Sequence, residues 1–405
     1  MTTETGTPGR PRGDPDQAAF RFVLLVGVLS FFADFTYEGA RSIVGPYLAS
    51  LQASATVVGV VSGLGELLGY TLRLGSGRLA DATRMFWPIT IIGYVVQMTS
   101  VPALALTGSW PAAALLVILE RVGKAIRNPP RDVMLSHAAR RVGGYGWVFG
   151  LHEALDQFGA MFGPLLVAVV LAAHATAYRW AFAVLLAPAL ANLTIVLVAR
   201  WRYPHPEELE AAPSTAQGRT GLSSVYWVYL AGAVLVAAGF ADYPLIAYHF
   251  SRTRVVPGDW IAIYYAVAMA TSGAGSLLCG RLFDRFGFAT LVWLTVLTAL
   301  FAPLVFLGGF WVALLGAAIW GLGMGVHESI IPAALAPMVP PQSRAFAFGL
   351  FTAGYGVFWF LGSAAIGRLY DLSLAATVAF CVAMELAAVP IFAWVGRRSV
   401  LHLRR

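Results

Sequence analysis

The chain has 405 residues, of which 59% are hydrophobic and only 12% are charged. A soluble globular domain carries roughly 25% charged residues, so this composition excludes an ordinary water-exposed surface and favours a chain embedded in a lipid bilayer. The formal net charge is +7, but the basic residues lie in short clusters between apolar stretches, which is typical of membrane proteins rather than of nucleic-acid binding. The two cysteines, Cys279 and Cys381, offer neither a disulfide framework nor a zinc site.

The apolar residues fall into twelve stretches, each near the roughly 20 residues that a membrane-spanning helix needs. The sequence therefore predicts an all-α polytopic membrane protein with twelve transmembrane helices in two pseudo-symmetric six-helix bundles. The predicted divisions are an N-terminal tail 1–19, a first half 20–202, a polar linker 203–222, a second half 223–396 and a C-terminal tail 397–405. We number the stretches as segments 1 to 12, and they cover 20–50, 55–80, 86–107, 110–135, 144–173, 178–200, 223–250, 259–283, 288–308, 310–334, 343–369 and 373–396.

Arginine placement predicts the orientation of the chain. Basic residues such as Arg78, Arg84 and Arg200 concentrate at alternate connections and at the termini, whereas the other connections hold few of them. Because basic residues favour the cytoplasmic side, both termini and the linker are predicted to be cytoplasmic. We expect a monomer in the inner, or plasma, membrane, with the lipid bilayer as its surroundings and no nucleic-acid partner.

Short repeats relate the two halves. Residues 77–81 read G-R-L-A-D at the end of segment 2, and residues 280–284 read G-R-L-F-D at the end of segment 8. Residues 32–35 read F-A-D-F in segment 1, and residues 240–243 read F-A-D-Y in segment 7. Two matches in corresponding segments predict that the halves are related. A third string, G-R-L-Y-D at 367–371, lies out of register and shows that such strings also recur without marking a repeat.

The string at the end of segment 2 resembles a loop signature of the major facilitator superfamily. That signature runs Gly, three residues, Asp, a basic residue, any residue, Gly and Arg. Gly77, Asp81 and Arg84 match it, whereas Ala82 replaces the first basic residue and Thr83 the second glycine. The resemblance covers almost the whole chain and implies two six-helix bundles that work by alternating access.

The loop after segment 8 is closer to the signature, because Gly280, Asp284, Arg285 and Gly287 all match. The resemblance implies that the two loops form a cytoplasmic gate. The alternative is that the two Asp side chains only satisfy local helix ends. The implied gate residues are Gly77, Asp81, Arg84, Gly280, Asp284 and Arg285.

Two further strings resemble superfamily motifs. Gly159-Ala-Met-Phe-Gly163-Pro164 in segment 5 looks like the antiporter motif and implies export, although close helix packing through small residues explains it equally well. Arg121 in segment 4 lies near the place of an arginine linked to proton coupling, but Lys124 stands where a glycine is usual.

Charged residues inside the predicted helices indicate a site independently of the resemblance. A charge at mid-bilayer costs at least roughly 2.5–3.5 kcal/mol, so these residues should face a cavity or each other. Asp34, Tyr37, Glu38 and Arg41 are spaced to share one face of segment 1, which predicts a cavity wall. A Glu38–Arg41 ion pair that only locks helix packing is the alternative.

Segments 2 and 4 add further charges. Glu66 in segment 2 and Arg73, which shares its helical face, are predicted to pair with charges on segment 4 or 5; a purely structural role is the alternative. Glu120, Arg121 and Lys124 are predicted to lie deep in segment 4. By contrast, Arg127 and Arg131 are predicted to lie at the cytoplasmic surface, where simple membrane anchoring is the alternative to a functional role.

Segment 5 carries an acid–histidine cluster. His152 and Asp156 are one helical turn apart, as are Glu153 and Gln157. Such a cluster suits proton exchange, and it also suits a divalent metal ion as substrate; a hydrogen-bonded polar core is the alternative. The predicted proton-coupling residues are Asp34, Glu120, Arg121, Glu153 and Asp156.

The second half holds fewer such charges. Asp242 in segment 7 mirrors Asp34, and segment 10 contains His327 and Glu328. The predicted substrate-cavity residues of both halves are Tyr37, Glu38, Arg41, Lys124, His152, Asp242, His327 and Glu328.

The leading functional interpretation is a secondary active transporter. No G-x-x-x-x-G-K-[ST] string is present, so an ion gradient rather than ATP should supply the energy, and no cofactor or resident metal is expected. Proton-coupled export of a small organic molecule or drug is favoured. A nickel, cobalt or iron exporter is the alternative, although Arg41, Arg121 and Lys124 argue for an anionic or zwitterionic substrate. A channel or receptor is the alternative of another class, and an enzyme is not expected.

Overall fold

The computed structural model describes residues 15–139, 141–142, 145–174, 176–209, 222–335, 338–339 and 344–403. Within these ranges the chain consists of helices and short turns, without a β-strand. The predicted all-α fold is thus confirmed. Residues 1–14 of the predicted N-terminal tail and residues 210–221 of the predicted linker lie outside these ranges.

The first half forms the six predicted segments. Ser54 begins segment 2, because its side chain accepts a hydrogen bond from the Val57 N–H and so satisfies a donor at the helix start. Segment 6 consists of two consecutive helices. The helices are Pro15–Ser50, Ala55–Thr83, Phe86–Ala103, Trp110–Ala139, Tyr145–Ala173, Tyr178–Val184 and Leu186–Arg202.

The second half has the same segments with more interruptions. Ser223 caps segment 7 as Ser54 caps segment 2, by accepting a hydrogen bond from Tyr226 N. The last helix continues to Leu403, through most of the predicted C-terminal tail. The helices are Ser224–Gly239 and Tyr243–Thr253 in segment 7, Gly258–Phe286 in segment 8, Phe288–Thr298 and Phe301–Leu307 in segment 9, Phe310–Gly325 and Ile331–Leu335 around a π-helical turn Val326–Ile330 in segment 10, Arg344–Leu372 in segment 11, and Leu374–Leu403 in segment 12.

Segment 7 differs from segment 1 because it is broken in the middle. Segment 1 is one continuous helix, whereas segment 7 has an extended backbone at Asp242. Pro244 lies in the first turn after this break, where its missing N–H leaves no helix hydrogen bond unmade. The repeated F-A-D string therefore has two different backbone conformations, helical in segment 1 and broken in segment 7.

Within the described ranges, 11 helical spans are long and apolar enough to cross a membrane. The remaining segment is segment 4, the helix Trp110–Ala139. It has 30 residues and therefore a length of about 45 Å, which exceeds the roughly 30 Å hydrocarbon core. It is too highly charged to qualify by hydropathy, because Glu120, Arg121, Lys124 and Arg127 lie within eight residues. Its charges are accommodated inside the bundle instead.

The halves pack as a pseudo-symmetric pair. Segment 2 packs along segment 11, and segment 5 packs along segment 8. These two contacts exchange when the first half is mapped onto the second, as expected for repeated six-helix bundles. We call the side where segment 1 begins and segment 12 ends the terminal face, and the other side the opposite face.

The halves close tightly against each other toward the opposite face. All side chains at 36–49 in segment 1 and at 236–250 in segment 7 are buried. A Cβ on Gly45 would overlap the carbonyl oxygen of Pro244, so only glycine permits this approach of the two backbones. The Tyr248 hydroxyl donates a hydrogen bond to Ala53 O at 3.2 Å, which joins the halves at the same level.

The structure corrects one residue assignment in the signature loop after segment 2. Arg84 ends segment 2 with φ 57°, and Gly287 ends segment 8 with φ 58°. Each residue stands seven places after the first glycine of its loop, Gly77 or Gly280. Arg84 therefore occupies the place of the second glycine, and the assignment of that place to Thr83 is wrong. An arginine in this backbone conformation is strained, because its Cβ crowds the following carbonyl.

Candidate functional site

A cavity of about 440 Å³ lies between the two halves. Its walls extend from Arg41 and Tyr265, which lie nearer the opposite-face ends of their helices, to Arg131 and Asp132 near the terminal face. Because the opposite face is closed, the cavity opens toward the terminal face. Its remaining lining includes Asp34, Glu38, Arg73, Lys124, Arg127, His152, Glu153, Asp156, Gln157, Met269, Ser272, Ser276, Met324 and Glu328.

Arg41 lies at the closed end of this cavity and contacts both halves of the protein. Its Nη2 atom lies 3.3 Å from Glu66 Oε1 and 3.4 Å from Asp242 Oδ1, and its Nη1 donates to the Tyr37 hydroxyl at 2.9 Å. The Arg41 side chain is only 7% exposed, so these contacts compensate a desolvated charge. Its Nη1 also lies 4.0 Å from Glu38 Oε1, so the predicted Glu38–Arg41 pair forms as a weaker contact.

The second half binds the same network from its own side. The Tyr265 hydroxyl donates to Glu38 Oε2 at 2.5 Å. Asp242 accepts hydrogen bonds from Ser363 Oγ at 2.8 Å and from Trp359 Nε1 at 3.2 Å. The break in segment 7 leaves the Asp242 carboxylate free for these contacts, because it makes no cap bond to its own helix.

Segments 2 and 4 are connected behind Tyr37. Arg121 Nη1 lies 3.0 Å from Glu66 Oε1, which confirms the predicted pairing of Glu66 with segment 4. Glu120 contacts Arg121 Nε at 3.5 Å and accepts a hydrogen bond from Gln97 Nε2 at 2.8 Å. Glu120 and Arg121 therefore lie behind the main cavity rather than on its wall, together with Tyr37.

The Tyr37 ring lies between the cavity and the Glu120 and Arg121 side chains behind it. The Lys124 ammonium lies 4.2 Å from the ring centroid, and the Arg121 guanidinium lies 4.8 Å from it. Cations over an aromatic face are attracted by the ring quadrupole, so the ring stabilises both charges within the membrane. Lys124 lies on the cavity side, as the sequence predicts.

Segment 4 continues through two prolines before it reaches the terminal face. Pro129 has no N–H and therefore leaves the carbonyl of Ala125 without its helix partner. Ser76 of segment 2 donates to Ala125 O at 2.9 Å and satisfies that carbonyl. The helix thus continues past the prolines to place Arg127 and Arg131 beside the cavity.

Arg127 and Arg131 are not at the surface, so that prediction is wrong. Arg127 is fully buried, with its Nη2 3.6 Å from Asp34 Oδ1. Its Nε donates to Gln97 Oε1 at 2.6 Å, and its guanidinium lies 4.6 Å from the Tyr94 ring centroid. Partners on segments 1 and 3 therefore draw the charge inward, which hydropathy and the positive-inside rule do not anticipate.

A chain of hydrogen bonds links Arg131 to segment 5. Arg131 Nη1 donates to Ser30 Oγ at 3.1 Å, and Ser30 Oγ lies 2.7 Å from His152 Nε2. Because Ser30 already accepts from Arg131, its own O–H favours donation to Nε2, which places the ring proton on Nδ1. That Nδ1 lies 3.5 Å from Asp156 Oδ2. The other Asp156 oxygen is buried without a hydrogen-bond partner.

The three acid and imidazole groups of segment 5 also lie close together. Ligand atoms of His152, Glu153 and Asp156 lie within 4.8 Å of one another. Glu153 is exposed to the cavity and accepts a hydrogen bond from Gln157 at 3.0 Å. This arrangement can exchange protons, and its donor set also suits a borderline divalent metal.

His327 and Glu328 lie on different sides of segment 10. Glu328 lines the cavity, whereas His327 packs between aromatic rings, with its centroid 4.3 Å from that of Phe240 and 5.5 Å from that of Trp359. Both belong to the π-helical turn Val326–Ile330, a distortion common at functional sites. The His327 Nδ1 atom is buried without a hydrogen-bond partner.

The predicted gate remains a prediction. The side chains of Asp81 and Asp284 lie outside the described part of the chain. Gly77 lies against Pro129 of segment 4, Gly280 has open space beside it, and the Arg285 guanidinium lies 5.1 Å from the Phe286 ring centroid.

The glycines of the segment 5 motif pack against segment 1. A Cβ on Gly159 would overlap Phe31 O, and one on Gly163 would overlap Phe35 O. This close approach brings Asp34 next to the acid–histidine cluster. Helix packing is thus a sufficient reason for the motif, and its link to export stays a proposal.

Sequence reasoning missed Asp371, which belongs to the out-of-register third string. Its carboxylate accepts hydrogen bonds from the N–H groups of Ala55 at 3.1 Å and Thr56 at 2.8 Å. Asp371 of the second half therefore caps the start of segment 2 of the first half, at the opposite face. The sequence did offer a signal for this contact, because Asp371 lies at the end of segment 11, on the side of the membrane where segment 2 begins.

The fold and the cavity define a polytopic membrane transporter and not an enzyme. The chain matches the family model described as Major Facilitator Superfamily over residues 24–287. A protein of Mycobacterium tuberculosis that is itself described as uncharacterized is 41% identical over 380 residues, which are 93% of each chain. The chain belongs to the major facilitator superfamily.

Solved structures share this fold at low sequence identity. The nucleoside transporter NupG is similar with a TM-score of 0.70 and 12% identity, over 95% of this chain and 99% of that one. A POT family transporter in complex with 5-aminolevulinic acid is similar with a TM-score of 0.74 and 11% identity, over 93% and 95% of the two chains. At these identities the likeness establishes the fold alone.

Proposed function

We propose that the protein is a monomeric, proton-coupled exporter of a small organic molecule, located in the inner, or plasma, membrane. With both termini in the cytoplasm, as the arginine distribution favours, the terminal face is cytoplasmic. The cavity then faces inward, which is the state in which an exporter takes up its substrate. Rocking of the two halves around this cavity would expose it to the other side.

The observation that supports proton coupling is the ion pair of Asp34 and Arg127 on the cavity wall. Among the described residues, Asp34 is the one carboxylate within 4.0 Å of the fully buried Arg127. Protonation of Asp34 would leave Arg127 with neutral partners, Gln97 and Tyr94, and an uncompensated buried charge is costly. A proton on Asp34 therefore changes the charge of the cavity wall and the affinity for a bound substrate.

The His152–Asp156 pair provides a second place for a proton on the same wall. His152 is held by Ser30, and Ser30 is held by Arg131, so a change of charge on Asp156 would alter contacts on segments 1 and 4. Segments 1, 4 and 5 are thus connected through groups that can change their charge. Glu120 and Arg121 lie behind Tyr37, where Arg121 contacts Glu66 of segment 2 and so connects segments 2 and 4.

Export rather than import is favoured by the resemblance of Gly159 to Pro164 to the antiporter motif. In an exporter that exchanges substrate for protons, the carboxylates accept protons from outside and release them inside. Substrate and proton then alternate on one cavity wall, which suits the single continuous cavity between the halves.

Transport by the purified protein in proteoliposomes tests this proposal. An imposed pH gradient should drive movement of compounds from a panel of small organic molecules. We expect Asp34→Asn to reduce gradient-driven transport to the level seen without a gradient, while exchange of substrate at equal pH continues. The matched control is Asp259→Asn, which changes an Asp in the first turn of segment 8, at the opposite face. Wild-type transport that is indifferent to the pH gradient would overturn proton coupling.

Export of a divalent transition metal is the second candidate function. The convergence of His152, Glu153 and Asp156 favours it, because nitrogen and carboxylate ligands suit nickel, cobalt or iron. The cationic groups of Arg73 and Lys124, which line the same cavity without an ion pair among the described residues, weigh against it, since they repel a cation. A strain without the protein should become sensitive to these metals, and unchanged tolerance would remove this candidate.

A further inference from the structure

We infer that the cavity recognises a zwitterionic molecule, binding its anionic group with Arg73 and Lys124 and its cationic group with Glu153 and Glu328. This inference rests on the proposed transport function and specifies the class of its organic substrate. It depends on which charges of the cavity lack an internal partner and on where these charges lie.

Most charged groups of the cavity wall are paired with one another. The ion pairs are Asp34 with Arg127, Glu38 with Arg41, and Arg131 with Asp132, while the Asp156 carboxylate lies 3.5 Å from the neutral His152 ring. Each pair brings its charged atoms within 4.0 Å, so it largely cancels within the protein. These residues therefore hold the wall together and leave little charge for a ligand.

Apart from Asp156, four charged groups that line the cavity have no ion pair within the described part of the chain. The Lys124 ammonium lies 4.2 Å from the Tyr37 ring centroid, and the Arg73 guanidinium lies 5.6 Å from the Tyr70 ring centroid. Among the described residues, Glu153 accepts a hydrogen bond from the neutral Gln157, and Glu328 has no ion-pair partner within 4.0 Å. Since uncompensated charge in a membrane protein is costly, these four groups are available for a charged ligand.

The two signs lie on different walls. Arg73 belongs to segment 2 and Lys124 to segment 4, and these segments pack against each other. Glu153 belongs to segment 5 and Glu328 to segment 10, and both segments pack against segment 8. A ligand with one negative and one positive end can satisfy both walls, whereas a simple anion or cation leaves one wall uncompensated.

The unpaired groups also indicate the chemistry of each end. A guanidinium and an ammonium suit a carboxylate or phosphate-like group, and two carboxylates suit a protonated amine. Between them, Met269 and Met324 provide adaptable apolar surface and Ser272 a hydroxyl. The cavity of about 440 Å³ lies within the range of sites for small ligands, which suits an amino acid, a short peptide or a similar amino-acid-like compound.

Binding to the full-length protein in lipid nanodiscs tests the inference without any proton gradient. The probes are zwitterionic ω-amino acids of increasing length, dipeptides and aminophosphonates, each with two matched derivatives. N-acetylation leaves only the anion, and amidation or esterification of the acidic group leaves only the cation. We expect at least one zwitterion to bind and each of its derivatives to bind about tenfold or more weakly, because one wall then loses its partner.

Two variants assign the ends of the ligand. Lys124→Gln should weaken binding of the zwitterion about tenfold and remove its advantage over the cation-only derivative. Glu328→Gln should instead remove its advantage over the anion-only derivative. The controls are Arg252→Gln and Glu207→Gln, both exposed and away from the cavity. Unliganded thermal unfolding of each variant separates a binding effect from a folding effect.

Equal binding of a zwitterion and either derivative, or no binding by any zwitterion of the panel, overturns the inference. The wild-type measurements are sufficient for this decision even if a variant does not fold. Failure of proton coupling is distinguishable, because zwitterion selectivity would then persist in the nanodiscs while transport stayed indifferent to the pH gradient.

Discussion

The two halves have the same number of segments but differ in what they contribute to the cavity. Among the described residues, the first half lines the cavity with ten Asp, Glu, Lys or Arg side chains, whereas the second half contributes one, Glu328. The second half instead contacts the first through hydrogen bonds that the Tyr265 hydroxyl donates to Glu38 and that the Asp371 carboxylate accepts from the start of segment 2. A duplicated fold can thus place its chemistry on one half and its mechanical support on the other.

The contact between the halves at Arg41 gives the largest expected effect. Arg41→Gln leaves the carboxylates of Glu66 and Asp242 without their shared partner, and removing one member of a buried ion pair destabilises by about 3–5 kcal/mol. We expect a much lower unfolding midpoint of the purified protein and loss of transport. Arg252→Gln, exposed near the opposite face, should change neither. An unchanged unfolding midpoint for Arg41→Gln would show that the halves do not depend on this contact.

Support of segment 4 by segment 2 gives the next effect. Ser76→Ala removes the hydroxyl that satisfies the carbonyl of Ala125 before Pro129, and an unsatisfied buried acceptor costs about 1–3 kcal/mol. The unfolding midpoint should fall. Ser136→Ala is the matched control, because the Ser136 hydroxyl bonds only to a carbonyl of its own helix turn. Equal effects of the two substitutions would remove the special role of Ser76.

The cap between the halves gives a smaller and more specific effect. Asp371→Asn keeps the shape of the side chain but removes its charge at the start of segment 2, so the closed opposite face should lose about 1 kcal/mol. We expect faster labelling of a Ser62→Cys reporter by a membrane-impermeant thiol reagent added at the opposite face. Asp259→Asn, at the same face but outside the cap, should leave labelling unchanged, and slower labelling in Asp371→Asn would contradict the assignment.

The loops of the two halves give the smallest effect. Arg84→Gly relieves a strained left-handed backbone and should stabilise the protein by about 1 kcal/mol. Gly287→Ala, at the corresponding place of the second half, should destabilise it, because a side chain is strained at φ 58°. Opposite shifts in the unfolding midpoint would confirm that the two residues are equivalent. Destabilisation by Arg84→Gly would show that contacts of the Arg84 side chain outweigh its strain.

The fold was predictable because a bilayer imposes length and polarity on every segment. Apolar stretches of about 20 residues and the repeated strings at the ends of segments 2 and 8 are local features, readable without knowledge of packing. The break in segment 7 was not predictable in this way. It depends on the position of Asp242 between Arg41 of segment 1 and Trp359 and Ser363 of segment 11, two places that are distant in the chain.

The candidate site was only partly predictable. The shared helical face of Asp34, Glu38 and Arg41 indicated a polar wall, and Glu66 was predicted to have a partner on segment 4 or 5. The burial of Arg127 was missed because its partners Asp34, Tyr94 and Gln97 belong to two other segments. Pairing between segments follows from packing, which spacing along one helix cannot specify.

Matched neutralisations in the two halves test the central claim most directly. Asp156→Asn in the first half and Glu328→Gln in the second are compared in proteoliposomes, by substrate transport under a pH gradient and by substrate exchange at equal pH. We predict that Asp156→Asn abolishes the response to the pH gradient and retains exchange, whereas Glu328→Gln retains the response and weakens substrate binding. Loss of the pH response in Glu328→Gln, with a normal response in Asp156→Asn, would contradict the assignment of proton coupling to the first half.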